Sequence, residues 1–411
     1  MSRLALCVLL ITLGLRFFFF YHNQPQFTDG QKISFKTTLL SEPQFFSNQQ
    51  IFTANLASNQ SVRVVTGRFP EFHYGDSLQI VGSIKLKLLN NKSKIAIIYF
   101  PKIEETNSSG IWGISLGAIS NVRQKLISLF SKTLPSPFGS LMLGIIFGIK
   151  SSMSKEFADN LKFSGVYHVI AASGMNVTLI GGFISSFLAF FLKRQMALLI
   201  SILGIIFYAV LGGLEPSIVR AAIMGIIVFS AQILGRQTLA VNSLFLAGFA
   251  MLFISPSLIS DIGFQLSFVA TLGILYIKPF LERGKRVKVI ERMGSLEILT
   301  TIAAQIATLP ILLANFGAYS AYSVLVNGLV LWTVPILMAI GGISAIFGLV
   351  IEPLGQLIIY LCYPLLIYFE TVVNFFGKIG GVLVVKDLPW QFIAGYYCLL
   401  ASVLIISKRR T

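Results

Sequence analysis

The residues best suited to chemistry in this sequence lie in three polar clusters, each embedded in a long apolar stretch. The clusters read H-V-I-A-A-S-G-M-N-V (168–177), G-G-L-E-P-S-I-V-R-A-A (212–222) and S-D-I-G-F-Q-L-S-F (260–268). Inside a bilayer a polar or charged side chain is costly unless it is paired or hydrated. The clusters are therefore the best pointers to function, and the candidates they supply are His168, Ser173, Gly174, Asn176, Arg220, Asp261 and Gln265.

The first cluster has two interpretations. In one, Ser173 and Gly174 interrupt the helix, and Ser173 becomes the N-cap of a half-helix that runs to Leu192. The positive end of such a half-helix faces an anion or lines an aqueous path. In the other, His168 lies at the membrane interface, and Ser173 and Gly174 only allow close helix packing. A serine nucleophile is not predicted, because A-A-S-G-M lacks the nucleophile-elbow pattern.

The other two clusters place charged residues at or near the starts of predicted helices. Arg220 follows a Glu-Pro pair that favours a helix start. Arg220 either pairs with Glu215 or extends toward the interface, or it offers its guanidinium to a phosphate. Ser260 can cap the next helix, and Asp261 and Gln265 are four residues apart and share a helix face. That face either meets Arg220 in a buried network or supplies only a cap and a helix–helix hydrogen bond.

The composition indicates what kind of chain positions these clusters. Of the 411 residues, 55% are hydrophobic and 12% are charged, whereas a soluble domain carries about 25% charged residues. This argues against a soluble enzyme and predicts a polytopic membrane protein. The net charge of +16 indicates basic cytoplasmic loops, a polyanionic partner, or both. Three scattered cysteines and three histidines provide no zinc spacing or disulfide framework, so no metal or cofactor is predicted.

The sequence divides into four parts. Residues 1–21 predict a transmembrane anchor, and residues 22–110 predict an extracytoplasmic β domain. Residues 111–165 are typical of amphipathic or interfacial helices, with Arg123 on the polar face. Residues 166–411 predict a polytopic membrane domain.

Short strings of alternating polar and apolar residues in 22–110 predict five strands. Five short strands suit a small barrel such as an OB-fold, a fold that often binds oligonucleotides. A phase shift at Gly82 predicts a bulge or sharp bend. The candidate contacts to a polyanion on these strands are Arg63, Arg68, Lys85 and Lys87.

The positive-inside rule orients the membrane part. The anchor and nine later apolar spans give ten crossings, with both termini in the cytoplasm and residues 22–110 outside. The basic residues then fall on the cytoplasmic side, at 193–194, 236, 283–288 and 408–410. The stretch 318–388 is the least regular, because three prolines can break helices there, namely Pro335, Pro353 and Pro364.

The three clusters, in this order and after a small β insert, resemble the ComEC family of competence membrane proteins. The matching strings are H-V-I-A-A-S-G-M-N-V, P-S-I-V-R-A-A-I-M and S-D-I-G-F-Q-L-S-F-V-A-T-L-G, and Y-G-D-S-L-Q-I-V-G-S-I is similar to the end of that family's N-terminal domain. The resemblance implies an inner-membrane channel for uptake of single-stranded DNA in natural transformation. It also implies an OB-like domain outside and three partners: an extracytoplasmic DNA receptor, a cytoplasmic helicase-like motor and a separate nuclease.

The sequence departs from the family pattern in two ways. It has no metallo-β-lactamase-like domain after the last span, so we do not expect this polypeptide to be a nuclease. Asn176 stands where the family has a histidine, so a proton or metal role there is not expected. No G-x-x-x-x-G-K-[ST] motif is present, so energy must come from a partner or an ion gradient. The alternatives are a secondary transporter of a small anionic or lipid-linked substrate, or a non-transporting membrane scaffold.

Overall fold

The structure is a computed structural model, and helices make up most of it. It describes residues 3–23, 27–40, 43–46, 48–56, 61–89, 93–106, 111–149, 153–170, 174–282, 296–385 and 389–409.

Most of the strands lie in one small sheet, which we call the β unit. The strands in the described ranges are β1 Lys32–Thr38, β2 Gln44–Phe46, β3 Gln49–Asn55, β4 Ser61–Gly67, β5 Ser77–Leu89, β6 Ser93–Tyr99, β7 Lys102–Glu105, β8 Ala318–Ser320 and β9 Val382–Val384. The sheet has the order β1-β5-β6-β4-β3-β2, and β7 also pairs with β5. Its pairings are antiparallel except for the parallel pair β4 and β6. The two arms of the sheet approach each other at β1 and β3, which gives a half-barrel.

The core of the β unit is built by alternation along β5. Ile80 and Ile84 are fully buried, whereas Lys85 is exposed. The buried positions keep the same phase on both sides of Gly82, and the strand continues through it, so the predicted phase shift and bulge are wrong. A Cβ at Gly82 would lie 2.5 Å from Cγ2 of Ile98, so glycine is required there because a core side chain already fills the space.

Fifteen α-helices are described in these ranges. They are α1 Arg3–His22, α2 Ile111–Thr133, α3 Phe138–Phe147, α4 Lys155–Ser164, α5 Gly174–Leu188, α6 Arg194–Leu211, α7 Pro216–Ile233, α8 Ala240–Ile254, α9 Ile262–Glu282, α10 Leu296–Phe316, α11 Ser323–Val330, α12 Thr333–Val350, α13 Glu352–Ile359, α14 Tyr363–Ile379 and α15 Trp390–Arg409.

Seven helical segments of the described chain are long and apolar enough to cross a membrane. They are Tyr167–Leu188, Arg194–Leu211, Pro216–Ile233, Ile262–Glu282, Leu299–Phe316, Thr333–Val350 and Glu352–Ile379. Shorter apolar helices are Cys7–His22, Phe138–Phe147, Ala240–Ile254 and Trp390–Ile406. A polytopic helical architecture therefore agrees with the prediction, while the count of ten crossings stays a prediction.

The three prolines predicted to break helices in 318–388 lie in the first turns of helices. In the first turn a proline removes no hydrogen bond, because the N–H groups there have no partner inside the helix. The prolines are Pro335 in α12, Pro353 in α13 and Pro364 in α14. The prolines therefore mark the starts of three helices, of 18, 8 and 17 residues, rather than breaks inside helices.

Helix α3 forms the centre of the largest apolar core. All ten of its residues are buried, and α2, α4, α11, α12 and α14 contribute side chains to the same core. An interfacial helix would expose one face to headgroups or water. Helix α3 therefore has no exposed polar face of the amphipathic kind predicted for 111–165, because it is apolar on every side and is enclosed by its neighbours, while the position of 111–165 relative to the membrane stays a prediction.

The β unit is attached to the helices at the C-terminal end of α6. Tyr74 is fully buried, and its hydroxyl donates to the Val210 carbonyl at 2.8 Å. Arg123 of α2 is 4% exposed, donates from Nη1 to the Leu211 carbonyl at 2.6 Å, and has its Cζ 4.9 Å from the centre of the Tyr74 ring. The last carbonyls of a helix lack partners inside it, so these side chains cap α6. The predicted place of Arg123 on a polar outer face is wrong.

Candidate functional site

The centre of the candidate site is Arg220, which lies one turn inside α7. A Glu-Pro start fixes this helix: Glu215 is its N-cap residue and Pro216 its first residue. Arg220 is 8% exposed, and its Nη1 donates to the hydroxyl of Thr271 on α9. Three helices meet here, because a Cβ placed on Gly174, the first residue of α5, would lie 2.8 Å from Nη2 of Arg220.

The charge of Arg220 has no counter-ion among the described residues. None of the ion pairs in these ranges includes Arg220, so pairing with Glu215 is not observed. Its Nε is buried and has no hydrogen-bond acceptor, and Nη1 also lies 3.9 Å from Sδ of Met224. Arg220 is therefore a buried cation whose hydrogen-bond partners here are neutral.

The described part of the first cluster consists of two helical pieces, one on each side of residues 171–173, which lie outside the described residues. A short 3₁₀ turn covers Tyr167–Val169, and α5 then begins at Gly174. The half-helix interpretation stays a prediction, and α5 ends at Leu188 rather than Leu192. Ser173 lies outside the described residues, and its role as an N-cap stays a prediction.

Asn176 caps the end of a neighbouring helix. It is 2% exposed, and its Nδ2 donates to the Ile145 carbonyl at 2.7 Å. Beside it, the Tyr208 hydroxyl of α6 donates to the Ile146 carbonyl at 2.6 Å. Both carbonyls belong to the last turn of α3, where a helix has no internal donors. The Ile145 carbonyl needs a hydrogen-bond donor, and the side-chain amide of Asn176 supplies one, so asparagine can fulfil this capping role.

His168 lies at a turn that is tied to other helices. Its side chain is exposed and interacts with the backbone of Gly165. The Gly165 carbonyl accepts from Oγ of Ser323 at 3.2 Å, and Ser323 Oγ accepts from Nε2 of Gln305 at 2.7 Å. The hydroxyl of Tyr319 donates to Oε1 of Gln305 at 2.8 Å, and burial raises the pKa of this hydroxyl, which keeps it a donor. His168 is thus linked through Gly165 to α10 and α11, and no described hydrogen bond joins it to Arg220.

Asp261 and Gln265 are local stabilisers of α9. Oδ1 of Asp261 accepts from the Phe264 backbone N–H at 2.7 Å, so Asp261 itself is the N-cap, a role predicted for Ser260. Gln265 donates to the Ile259 carbonyl at 2.8 Å. Neither residue contacts Arg220 in the described part of the chain. Of the two alternatives, the cap is observed, with Asp261 in place of Ser260, and a network with Arg220 is not observed among the described residues.

The α9 residue that reaches Arg220 is Thr271, ten positions after Asp261. A threonine in an apolar helix usually bonds to its own backbone, and Thr271 Oγ1 also donates to the Ser267 carbonyl at 2.9 Å. No sequence signal distinguishes Thr271 from the other threonines of the spans. Its role follows only from how α9 packs beside α7.

Three of the four basic candidates of the β unit share one outer face. Arg63 on β4 and Lys85 on β5 both pair with Ile97 of β6, and Lys87 pairs with Ile95, so their side chains leave the same side of the sheet. We call Arg63, Lys85 and Lys87 the basic row. All three are exposed, and an aromatic ring accompanies them, because Nζ of Lys85 lies 5.9 Å from the ring centre of Tyr99.

Arg68 is the exception among the four. Its Nε lies 3.3 Å from Oε1 of Glu71, so part of its charge is already balanced. Its Cζ also lies 5.7 Å from the ring centre of Phe69, which is 76% exposed. Arg68 lies in the chain just after β4 and outside the basic row.

The long apolar helices and the small β unit define a polytopic helical membrane protein with a polar site at the meeting point of α5, α7 and α9. Residues 145–410, more than half of the chain, match the family described as "Competence protein". The chain therefore belongs to the competence protein family, and the resemblance found in the three clusters is confirmed.

Two relatives are similar to this chain. ComE operon protein 3 of Bacillus subtilis (strain 168) is 25% identical over 210 residues, which cover 51% of this chain and 26% of that protein. An uncharacterized protein of Aquifex aeolicus (strain VF5) is 26% identical over 278 residues, which cover 67% of this chain and 59% of that protein. The chain thus matches only part of the length of each relative. No solved structure matches it significantly.

Proposed function

We propose that this protein forms a membrane channel through which one strand of DNA enters the cell during natural transformation. The observation that carries the proposal is the buried Arg220 without a counter-ion among the described residues, placed where α5, α7 and α9 meet in a chain of the competence family. A strand of DNA is a polyanion, and a positive, hydrated groove is what lowers the cost of moving it through lipid.

The sidedness of the proposal follows from the attachment of the β unit. The β unit contacts α6 at its Leu211 end, and the basic pair Lys193–Arg194 lies at the opposite end of that helix. Basic residues favour the cytoplasmic side. We therefore infer that the β unit faces the exterior and that both termini are cytoplasmic, in the cytoplasmic membrane.

The basic row is the proposed first contact for DNA. A partly open barrel with one parallel strand pair is compatible with an OB-like fold, whose surfaces bind single strands through cations and aromatic rings. Arg63, Lys85 and Lys87 supply cations, and Tyr99 supplies a ring that is 43% exposed. In this proposal residues 22–110 bind incoming DNA, and residues 166–411 form the path through which the strand crosses the membrane. Residues 111–165 pack between these two parts.

The chain transports DNA and does no nuclease chemistry in this proposal. An extracytoplasmic receptor would deliver DNA, a separate nuclease would degrade the other strand, and a cytoplasmic helicase-like motor would pull the transported strand. These partners follow from the family resemblance.

A transporter of a small anionic substrate is the second candidate. A buried arginine at the start of a half-helix suits a small anion as well as a phosphodiester. The basic row favours DNA, because a small anion needs no row of exposed cations on a separate unit.

A transformation assay tests the channel. A deletion strain should lose DNA uptake while it still binds DNA at the surface, and the wild-type gene should restore uptake. Arg220→Gln should insert normally and restore little uptake. The matched control is Arg16→Gln, since Arg16 also lies in an apolar helix but already donates from Nε to the Phe253 carbonyl at 3.0 Å. Full uptake in the deletion strain would refute the proposed function.

The basic row has its own test in the purified full-length protein. Affinity for a dT oligonucleotide should fall with salt, with a slope of about 0.7 for each phosphate that the protein neutralises on a single strand. Lys85→Gln should reduce the slope by about that amount, whereas Lys102→Gln, which removes a lysine 2.8 Å from Glu104, should not. Equal slopes for Lys85→Gln and the wild-type protein would place the DNA-binding surface elsewhere.

A further inference from the structure

The positive charge of Arg220 is buried and is not balanced by any of its described neighbours. Arg220 is more than nine-tenths buried, its Nε has no acceptor, and the oxygen that accepts from its Nη1 is the neutral hydroxyl of Thr271. Removing an unpaired charge from water costs several kcal/mol in a protein interior. The arrangement therefore calls for an anion.

A second positive group meets Arg220 at the same point. Helix α5 is 15 residues long and begins at Gly174, and the N-terminus of a helix carries about half a positive charge and N–H groups without internal partners. Nη2 of Arg220 would be 2.8 Å from a Cβ at Gly174, so the guanidinium touches this helix start. Two positive groups in contact repel each other, and an anion that accepts hydrogen bonds from both would offset this repulsion.

The carboxylates near the site in sequence do not fill this role. Asp261 accepts from the backbone of its own helix, and no described ion pair joins Glu215 to Arg220. The ligand must therefore come from outside this set of residues.

We propose that Arg220 and the N-terminus of α5 together bind one oxyanion of the phosphate class. A guanidinium donates in a planar fork, and a helix N-terminus donates through backbone N–H groups, so both match a tetrahedral oxyanion with several acceptor oxygens. Resting on the proposed function, the occupant in transit is a phosphodiester of the DNA strand. Free phosphate and a lipid phosphate offer the same chemistry.

The small size of Gly174 is part of this site. A side chain there would overlap the guanidinium and push it away from the helix start. Gly174→Ala should therefore weaken oxyanion binding while the charge of Arg220 remains. Gly182→Ala is the matched control on the same helix, because a Cβ at Gly182 would meet nothing within 4 Å.

The experiment measures binding of inorganic phosphate to the purified full-length protein, at constant ionic strength set with chloride. Arg220→Gln should bind phosphate about ten to a hundredfold more weakly than the wild-type protein, the range expected for a hydrogen bond to a charged group. Arg220→Lys keeps the charge but lacks the planar fork of donors, so its affinity for phosphate should lie between those of the wild-type protein and Arg220→Gln. It replaces Arg220→Gln in the comparison if that variant does not fold. Arg16→Gln and Gly182→Ala should bind as the wild-type protein does.

Competition identifies the source of the phosphate group. A dT oligonucleotide that displaces phosphate supports a DNA phosphodiester, and displacement by phosphatidylglycerol but not phosphatidylcholine in nanodiscs supports a lipid. No phosphate binding to the wild-type protein, or equal binding to wild type, Arg220→Gln and Arg220→Lys, would overturn the site. If the site is overturned in this way but the deletion strain still loses DNA uptake, the proposed channel stands without the oxyanion site. If phosphate binds through Arg220 but the deletion strain takes up DNA normally, the oxyanion site stands and the proposed channel is refuted.

Discussion

The attachment of the β unit to α6 allows a quantitative test. Tyr74→Phe removes the hydroxyl that donates to the Val210 carbonyl at 2.8 Å and keeps the ring beside Arg123. Because Tyr74 is fully buried, water does not replace the missing donor. The Val210 carbonyl still accepts from the Gly213 N–H at 3.0 Å, so the variant loses one hydrogen bond without orphaning the acceptor. We therefore expect Tyr74→Phe to lower the free energy of unfolding by about 0.5–1.5 kcal/mol.

Tyr74→Leu should cost more, because it also removes the ring that faces the Arg123 guanidinium. A desolvated cation–π interaction contributes about 2 kcal/mol. A double-mutant cycle between Tyr74→Leu and Arg123→Gln should therefore give a coupling of about 0.5–2 kcal/mol. The same cycle with Tyr74→Phe should give a smaller coupling, since the ring remains.

The assay is reversible unfolding of the full-length protein in mixed micelles, followed by circular dichroism. Tyr99→Phe is the control, because Tyr99 lies on the exposed outer face of the β unit, and it should change stability by less than about 0.5 kcal/mol. If Tyr74→Phe is as stable as the wild-type protein, or if the Tyr74→Leu cycle shows no coupling, the attachment does not stabilise the protein in this way.

Two further substitutions test packing at the site. Gly165→Ala should destabilise by about 2–4 kcal/mol, because Gly165 has φ +81° and a Cβ there would lie 2.5 Å from that of Ser323. The control is Gly117→Ala, because a Cβ at Gly117 meets nothing within 4 Å. Equal thermal unfolding midpoints for the two variants would contradict this prediction. Asn176→Leu should cost about 1–3 kcal/mol through the orphaned Ile145 carbonyl. Asn176→His, which keeps a donor, should cost less, and equal unfolding midpoints for the two variants would refute the capping role.

Features that depend on short-range pattern could be predicted from the sequence. The alternation of residues in 22–110 predicts five strands, and the structure has these five at closely similar positions together with two short strands that the alternation does not predict, β2 and β7. The Glu-Pro pair predicts the start of α7, which begins at Pro216. The predicted phase shift at Gly82 is wrong, although the correct alternation is present in the sequence, and only the packing of Ile98 explains the glycine.

Burial of individual polar residues is predicted less well. Arg123 sits on a helix whose apolar periodicity places it outward, yet it is 4% exposed because the β unit and the end of α6 close over it. For Asp261 the sequence suggested a network with Arg220, whereas its short side chain bonds to the nearest N–H of its own helix. The backbone N–H three residues further along is within reach of the Asp261 side chain however the helices pack, so this hydrogen bond forms in preference to one with a residue on another helix.

The sequence alone determined that the chain is a polytopic membrane protein with a β insert and that Arg220, Gly174 and their neighbours are its unusual polar residues, because hydropathy and spacing are properties of the chain itself. Only the tertiary structure decided that Arg220 meets Gly174 and Thr271. Which residues of two helices face each other depends on the axial shift and rotation with which the helices pack, and those are set by side chains along the whole length of both.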